Sequence, residues 1–411
     1  MKLLIVSDLM HYHRDGQVVA WGTTVREINH LAQMFEEIRC LACFDPRPAP
    51  ASSLPYDPDK VKLIPLPPSG GKTLGAKLNI LRLTPLYLKR IYQELPWADV
   101  VHVRCPNNIG LLAILLLSLV SFPKLRWVKY AGDWKPMNRQ PWSYDFQRWW
   151  LEKGLHRGIV TVHGSWSDHI NKVSKYVYTI ATPSLTEGEL EQGRLLGYGK
   201  KLNYPIYLLF VGRVTNNKGA RRVLQIAQEI HKHGLALELH VVGDGPDRPA
   251  LETWTREQRL HSFVTFHGWY PKTKLSDFYG KAHILLFPSV SEGWGNVIAE
   301  ALSHGVVPLA PAVSIIPQAL AEIGAGQALN PLNISAFVQA VLYYVTNPDR
   351  WKVESLAGIE GAWRFTYNEY LTGLRRIFAD AWGIEIGRNS LLQRAESISS
   401  PLCQDQSIKT I

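Results

Sequence analysis

Short apolar runs alternate with longer helical patterns along most of this chain, and this alternation limits the folds open to it. In the first half the strand-like runs are Leu3–Val6, Ile38–Phe44, Val61–Leu66, Val100–Arg104, Trp127–Tyr130 and Ile159–Val162. The pattern restarts with Ile206–Val211, Leu237–Val242, Val264–His267, Ile284–Phe287 and Val306–Leu309. Strands separated by helices form parallel sheets that are covered by those helices. We therefore predict an α/β fold with two Rossmann-like, doubly wound domains facing a cleft.

The length and one polar passage suggest where the domains divide. A chain of 411 residues exceeds what one core usually holds, which favours two domains. The Gly-rich passage 186–203 has the composition of a linker, and the last stretch is rich in Ser and Gln and poor in large apolar residues. The predicted division is an amino-terminal domain over 1–190, a linker over 191–205, a second domain over 206–362, a helix over 363–388 and a disordered tail over 389–411.

The cysteines and the apolar runs indicate a cytoplasmic protein. Cys40 and Cys43 fall in a predicted strand, where residues three apart face opposite ways, so the pair is a poor zinc half-site. The opening apolar run ends at Ser7, too early for a signal peptide. The run Ile109–Val120 is shorter than the roughly 20 residues that a spanning helix needs. We expect a reducing cytosol and no transmembrane segment.

Two carboxylates stand eight positions apart in the second half. Glu292 precedes a Gly-rich turn, and Glu300 lies on the apolar helix that follows. A fixed carboxylate at such a turn can accept hydrogen bonds from sugar hydroxyls. A second carboxylate on the helix can bind another diol, such as the ribose of a nucleotide. The spacing therefore suggests a bound nucleotide sugar.

Two cations come earlier in the same half. Arg213 follows the Gly turn after the strand Ile206–Val211, and Lys218 precedes a predicted helix, so both stand at the carboxyl end of a parallel sheet. Ligands bind at that edge in this architecture. A planar guanidinium and a compact ammonium could neutralise a diphosphate leaving group without a metal ion. Alternatively, Arg213 and Lys218 are ordinary solvated cations on the surface. The pair Glu292 and Glu300 in the same half of the chain favours the binding site over this alternative.

Two further strands end in glycine turns. Gly243-Asp244-Gly245-Pro246 partly matches the dinucleotide-binding pattern, but Arg248 replaces its third glycine and Pro246 interrupts the turn, so NAD binding is weakly supported. A tight turn lining the cleft is the better interpretation. Gly268 and Trp269 end the next strand, and the Trp269 ring could either hold a nucleotide base or pack in the core.

From Leu208 to Gln318 these motifs follow the order found in one known family. The Gly-Arg turn, Lys-Gly, Gly-Asp-Gly-Pro, Phe-His-Gly, Phe-Pro-Ser and E-x7-E together resemble the retaining glycosyltransferases of the GT-B fold, family 4. Over the first 200 residues the resemblance is architectural only. It implies Arg213 and Lys218 on the donor diphosphate, Glu292 near the transferred sugar and Glu300 on the ribose. The other residues expected at the donor are Gly212, Gly243, Gly268, Trp269, Gly293, Trp294, Gly295, Asn296 and Val297.

The same resemblance carries expectations about the reaction. It implies a nucleoside diphosphate sugar as donor, with UDP or GDP most favoured, and no metal or other cofactor. The departing phosphate oxygen would take the proton of the acceptor, so the sugar would keep its anomeric configuration. The protein would contribute positioning and charge stabilisation. The carboxyl-terminal helix is expected to cross back to the first domain.

The amino half departs from the family pattern. Many relatives carry a histidine after the fifth strand, whereas this chain places Gly132 or Asp133 near that position. Asp133 could bind a donor or acceptor hydroxyl, and it could equally cap the next turn. The first loop, 11–22, stands where the family has a glycine-bearing acceptor and phosphate loop. The acceptor-side candidates on that loop are His11, His13, Arg14 and Gly16.

Positive charge is concentrated in the first half, with a net charge of +8 over residues 1–200 and +2 over 201–411. No acidic residue occurs between Asp59 and Glu94, yet seven basic residues do: Lys60, Lys62, Lys72, Lys77, Arg82, Lys89 and Arg90. Thr84-Pro85 predicts a helix start, with Leu88, Ile91, Tyr92 and Leu95 on one face and Lys89 and Leu86 opposite. A basic face with leucines suits an anionic membrane surface, and a solvated helix face is the alternative.

The whole pattern favours a retaining, metal-independent hexosyltransferase that acts on a lipid-linked or glycan acceptor in cell-surface polysaccharide or glycolipid biosynthesis. The residues 60–93 would then dock a cytoplasmic protein on the inner face of the cytoplasmic membrane. Two alternatives remain: a catalytically silent GT-B-like binding protein and a Rossmann-type NAD-dependent oxidoreductase. The chain has a net positive charge but no nucleic-acid recognition motif, so no nucleic acid partner is expected.

Overall fold

A computed structural model describes residues 1–68, 74–134, 136, 139–164 and 172–386. The predicted tail 389–411 lies outside the described residues. Two sheets, each with helices packed on it, confirm the predicted pair of doubly wound domains facing a cleft. No helix within the described ranges is both long enough and apolar enough to cross a membrane.

The first domain contains the strands β1 (Lys2–Val6), β2 (His11–Arg14), β3 (Gln17–Trp21), β4 (Glu37–Cys43), β5 (Ser53–Pro55), β6 (Val61–Leu66), β7 (Val100–Cys105), β8 (Leu125–Tyr130), β9 (Ile159–His163), β10 (Lys172–Ser174) and β11 (Val177–Ile180). Its helices are α1 (Gly22–Leu31), α2 (Leu74–Glu94), α3 (Asn108–Leu119) and α4 (Trp142–Glu152). Eight of these strands, within the described ranges, form a sheet in the order β10-β11-β9-β8-β7-β1-β4-β6. Its neighbouring strands are parallel except β10 and β11.

The second domain contains the strands β12 (Ile206–Val211), β13 (Leu237–Val242), β14 (Val264–Gly268), β15 (Ile284–Leu286), β16 (Val307–Pro311) and β17 (Gln327–Leu329), which form a parallel sheet in the order β14-β13-β12-β15-β16-β17. The helices that follow the first domain are α5 (Glu187–Gly197), α6 (Ala220–Lys232), α7 (Arg248–Glu257), α8 (Ser276–Lys281), α9 (Asn296–Ser303), α10 (Ile316–Ile323), α11 (Ile334–Thr346), α12 (Pro348–Gly361) and α13 (Tyr367–Trp382). Every strand predicted from an apolar run is therefore present.

The passage predicted as a linker contains helix α5 instead. Thr186 accepts the Glu189 N–H at 3.1 Å, and the Glu189 carboxylate accepts the Thr186 N–H at 2.8 Å, which forms a capping box. A Cβ on Gly193 would lie 2.7 Å from the Ser303 carbonyl oxygen of α9. The glycines that give this passage the composition of a linker thus permit close helix packing. The predicted linker 191–205 begins inside α5.

The first loop is a hairpin rather than an open loop. Strands β2 and β3 pair antiparallel, and β5 pairs with β3. Asp15 and Gly16 both have positive φ angles, 52° and 74°, as a two-residue hairpin turn requires.

Helix α2 begins ten residues before the predicted start at Thr84. Pro85 lies inside the helix, and the Thr84 hydroxyl donates to the Ile80 carbonyl at 2.9 Å. The Thr84-Pro85 pair is therefore not a helix start. Tyr87 and Ile91 form the buried face, while Tyr92, predicted to share it, is exposed.

Helix α13 packs on the first domain, as predicted for the carboxyl-terminal helix. Its residues Tyr370, Leu374 and Phe378 belong to the core that contains Leu3 and Val25. The Tyr370 hydroxyl also reaches a buried ionic cluster. The chain therefore returns to the first domain after completing the second.

That ionic cluster is centred on Glu27 of α1. Its carboxylate accepts hydrogen bonds from Lys129 at 2.6 Å, from the Tyr370 hydroxyl at 2.9 Å and from Arg104 at 3.2 Å. Burial alone would raise the pKa of Glu27, but the charges of Arg104 and Lys129 hold it well below its usual range. The cluster joins α1, β7, β8 and α13.

The two strand cysteines face opposite sides of the first sheet, as predicted. Cys40 belongs to the core under α1 and α13, whereas Cys43 belongs to the core under α2 and α3. Burial raises the pKa of the Cys40 thiol to about 12. Cys40 therefore stays protonated at neutral pH.

Buried histidines should make stability depend on pH. Burial lowers the pKa of His156, His163, His283 and His304 to about 4 each. Unfolded histidines titrate near ~6.5. Between these values the unfolded chain binds more protons, so the free energy of unfolding should fall as pH drops from about 6.5 to about 4. Urea unfolding at pH 7.5, 6.0 and 5.0 measures this fall.

The variant His156→Leu removes one of these groups. It should lower the slope of unfolding free energy against pH by up to about 1.4 kcal/mol per pH unit. The exposed His261, changed to Gln, is the control. An unchanged slope in His156→Leu would contradict the assignment.

Candidate active site

Three glycine turns form a rigid row at the carboxyl edge of the second sheet. Gly212, Gly243 and Gly268 end or follow β12, β13 and β14. The Gly212 N–H donates to Val242 at 3.0 Å, and the Gly243 N–H donates to Gly268 at 2.7 Å. A Cβ on Gly243 would lie 1.9 Å from the Gly212 carbonyl oxygen, and the φ of Gly243 is +135°. Only glycine therefore allows these turns to approach so closely.

The loop before α6 is tied to the loop before α9. Gly219 has a φ of +85°, and a Cβ there would lie 2.3 Å from the Pro288 carbonyl oxygen. The Val290 N–H donates to the Asn217 carbonyl at 3.0 Å. These contacts bring Lys218 and Glu292 into an ion pair, although 74 positions separate them.

The charges at this edge differ in exposure. The Glu292 side chain is only 10% exposed, and that of Lys218 is 36% exposed. Arg213 is exposed, and within the described ranges its guanidinium makes no hydrogen bond or ion pair. Arg213 and Lys218 therefore lie on the same loop, between β12 and α6, with Arg213 accessible to an anion.

Helix α9 begins beside this charged pair. Gly295 precedes the helix with a φ of +88°, and a Cβ there would lie 2.7 Å from the Phe287 ring. The Asn296 side chain accepts a hydrogen bond from the Ser184 hydroxyl at 3.0 Å. Val297 is half-buried in the first turn. The first N–H groups of a helix lack intrahelical acceptors and attract anions, so α9 adds to the positive potential here.

The two tryptophans predicted near the donor have different environments. Trp294 is 3% exposed, and its ring stacks on Phe365 with a centroid distance of 4.6 Å. Its ring is thus a core element, and the predicted donor contact is restricted to its backbone. Trp269 is 46% exposed, so the structure excludes the core alternative for that ring.

Glu300 is buried on α9 and already bonded on both oxygens. Oε1 pairs with Lys272 Nζ at 2.7 Å, and Oε2 accepts the Tyr279 hydroxyl at 2.9 Å. Burial and the Glu300 charge raise the pKa of Tyr279, so its hydroxyl stays a donor. Each carboxylate oxygen keeps a further lone pair for a diol.

The first domain meets the Glu292 turn through two residues. A Cβ on Gly293 would lie 3.4 Å from His163 Cδ2 and 3.5 Å from the Ala131 carbonyl oxygen. His163 Nε2 lies 3.1 Å from that same oxygen, and Nδ1 is hydrogen-bonded to the Thr182 hydroxyl. Since burial lowers the pKa of His163 to about 4, its ring is neutral at pH 7. Asp133 lies two residues beyond Ala131, on the loop that reaches the site.

Residues 205–347 match the family model described as glycosyl transferases group 1. The second domain is a group 1 glycosyltransferase domain. A curated relative, the D-inositol 3-phosphate glycosyltransferase of Corynebacterium aurimucosum, is 26% identical over 219 residues, 51% of this chain and 50% of that protein. The chain spans half or less of the length of the first curated relatives it matches.

Solved structures resemble both domains of this chain. Sucrose-phosphate synthase of Thermosynechococcus elongatus gives a TM-score of 0.65 at 17% identity, covering 97% of this chain and 100% of that one. Anabaena HepE, solved in complex with UDP, gives 0.64 at 12% identity, covering 92% and 100%. The two-domain likeness shows the GT-B fold.

Of the acceptor-side candidates on the first loop of this GT-B protein, His11 is buried, whereas His13 and Gly16 are exposed. His11 is 1% exposed; Nδ1 bonds to the carbonyls of Leu9 and Cys43, and Nε2 bonds to the Tyr56 hydroxyl at 3.0 Å. Its ring therefore holds the hairpin to the sheet. Gly16 is needed for the hairpin turn. A role for His11 at the acceptor is therefore not supported by its burial, while His13 and Gly16 stay predictions.

Two residues at the site of this GT-B protein were missed from the sequence. Lys272 begins the 3₁₀ turn that follows β14, and His163 ends β9. A lone lysine or histidine gives no local signal of its own. Their position beyond a strand's carboxyl end was the available hint, because ligands bind at that edge.

Proposed function

We propose that this GT-B protein is a glycosyltransferase that moves a hexose-type sugar from a nucleoside diphosphate sugar, with UDP or GDP as the nucleotide, to a lipid-linked or glycan acceptor. The observation that carries the proposal is the Lys218–Glu292 pair beside the exposed Arg213. Two cations suit a departing diphosphate, and a fixed carboxylate suits sugar hydroxyls. The UDP bound to HepE supports a nucleoside diphosphate as the ligand.

In the proposed reaction, the bond between the anomeric carbon and the diphosphate oxygen breaks while a bond to the acceptor oxygen forms. The acceptor proton passes to the departing phosphate oxygen on the same face, which retains the configuration. Arg213 and Lys218 meet the developing negative charge, and the start of α9 adds N–H donors. Because these groups supply the positive charge, we include independence from metal ions in the proposal.

Helix α2 supports a membrane-facing acceptor. Leu78 and Leu81 are 66% and 70% exposed, and Arg82, Lys89 and Arg90 are exposed on the same helix. Large apolar side chains with basic neighbours suit an anionic bilayer surface. Of the predicted basic segment 60–93, Lys72 lies outside the described residues. We propose that α2 docks the protein on the inner face of the cytoplasmic membrane, as in cell-surface polysaccharide or glycolipid synthesis.

Calorimetric titration with UDP, GDP, ADP and NAD tests the donor proposal. We expect one nucleoside diphosphate to bind, equally well with and without EDTA. Arg213→Ala should weaken that binding about 10-fold, because it removes one charged hydrogen-bond donor. Arg256→Ala, an exposed arginine on α7, is the control. NAD binding alone would favour an oxidoreductase, and no binding would favour a silent scaffold.

Lys218→Ala should lower turnover about 100- to 1000-fold, by analogy with the loss of an oxyanion-stabilising donor. Its melting temperature should also fall, because the Glu292 side chain is only 10% exposed and loses its counter-ion, so turnover is compared at a temperature where the variant is still folded. Product formation from the bound donor measures the effect. Lys232→Ala, which removes a 60% exposed lysine on α6, is the matched control. Undiminished turnover in Lys218→Ala would refute the catalytic assignment.

Vesicle sedimentation tests the docking face. Binding should rise with anionic lipid content, each basic residue near the surface contributing about 1 kcal/mol. The double variant Leu78→Ser, Leu81→Ser should reduce the bound fraction. Leu332→Ser removes an equally exposed leucine, 68% exposed, from the second domain and should not. If the bound fraction does not depend on anionic lipid content, the proposal that α2 docks on the membrane is wrong.

A further inference from the structure

Lys272 lies at the centre of a polar junction between three elements. Its ammonium donates to the Ser184 carbonyl at 2.6 Å, pairs with Glu300 at 2.7 Å and lies 3.9 Å from Glu189. Ser184 belongs to the connection between the domains, Glu189 to α5 and Glu300 to α9. Two of the three N–H donors of this ammonium are directed at Ser184 and Glu300, and Glu189 lies beyond hydrogen-bond distance as a third, electrostatic partner. Lys272 is therefore placed to organise these protein groups.

Glu300 depends on this ammonium. Its side chain is only 10% exposed, and its other oxygen accepts the Tyr279 hydroxyl. A buried carboxylate that loses its counter-ion is strongly disfavoured. An ionised carboxylate is also the form that accepts hydrogen bonds from both hydroxyls of a diol. Lys272 and Tyr279 thus hold the Glu300 carboxylate in one orientation, in which it can meet a ribose.

The junction continues into the first domain. Glu189 accepts a hydrogen bond from Arg26 of α1 at 2.5 Å and from its own capping partner Thr186. The Arg26 guanidinium also lies 5.3 Å from the centre of the Tyr367 ring. Burial would raise the pKa of Glu189, but the charges of Lys272 and Arg26 lower it. The charges Arg26, Glu189, Lys272 and Glu300 therefore alternate in sign across the domain boundary.

We propose that Lys272 is a positioning residue for Glu300, and that Arg26 in the first domain is energetically coupled to nucleotide binding in the second. This inference rests on the proposed donor site. If Arg26 is removed, Glu189 keeps Lys272 as its nearest cation. The ammonium then shifts toward Glu189 and holds Glu300 less firmly. Coupling between two sites is reciprocal, so nucleotide binding also strengthens the Arg26–Glu189 contact between the domains.

The first test measures the affinity for the nucleoside diphosphate that the wild-type protein binds, UDP or GDP. Lys272→Met keeps the apolar stem but removes the charge, and it should weaken binding about 10- to 100-fold. Lys272→Arg keeps the charge and should recover part of the loss. Lys274→Met, two residues further on and exposed, is the matched control and should bind as wild type does.

Inorganic pyrophosphate separates positioning from a general structural role. It lacks a ribose and would contact Arg213 and Lys218 alone. Its affinity should therefore be the same in Lys272→Met and in the wild type. If Lys272→Met loses as much affinity for pyrophosphate as for the nucleotide, the substitution disrupts the whole site and the positioning role is wrong.

Arg26→Gln tests the coupling across the domains. It should weaken nucleotide binding about 3- to 10-fold, although Arg26 is in the other domain. In the double variant with Lys272→Met, Arg26→Gln should weaken nucleotide binding by less than it does alone, because both substitutions act through Glu300. Unchanged affinity in Arg26→Gln, or fully additive effects, would overturn the coupling.

The two proposals fail in different ways. If the wild-type protein binds no nucleotide, the proposed function itself is wrong. If the wild type binds but Lys272→Met binds equally well, only this inference is overturned. Should Lys272→Met fold poorly, Lys272→Arg and Arg26→Gln still decide the question, because both retain polar partners at the junction.

Discussion

Buried carboxylates that need counter-ions organise this protein. Glu27 in the first domain is held by Lys129 and Arg104. In the second domain, Glu292 and Glu300 are each only 10% exposed and are each paired with an ammonium. An unpaired buried charge would cost several kcal/mol, so each carboxylate fixes the elements that supply its partner.

The connection between the domains is part of the site. Ser184 contacts Asn296 through its hydroxyl and Lys272 through its carbonyl. Helix α5 follows immediately, and its glycines let it approach the end of α9. The return helix α13 adds Tyr370 to the Glu27 cluster. Any change in the relative position of the domains would therefore disturb groups beside the donor carboxylates.

The sequence placed Lys218 and Glu292 together better than it placed His11. Lys218 and Glu292 were assigned to one ligand, and the structure places them in contact. His11 was assigned to the acceptor, yet it is buried at the start of the β2–β3 hairpin, between that hairpin and the sheet. The motifs around Lys218 and Glu292 are local turns after strands, so their position follows from the fold class. The surroundings of His11 depend on the β2–β3 hairpin, which no sequence motif predicted.

Sequence alone determined the two α/β domains, because periodic apolar runs specify strands and helices. It also named the carboxylates and cations on which the proposed nucleotide-sugar site rests. Only the tertiary structure decided which charges meet. The pairing of Glu300 with Lys272, and the contact of Glu189 with Arg26, join residues far apart in the chain. Such long-range pairs depend on how the domains pack, and packing is set by the sum of many contacts that no local pattern records.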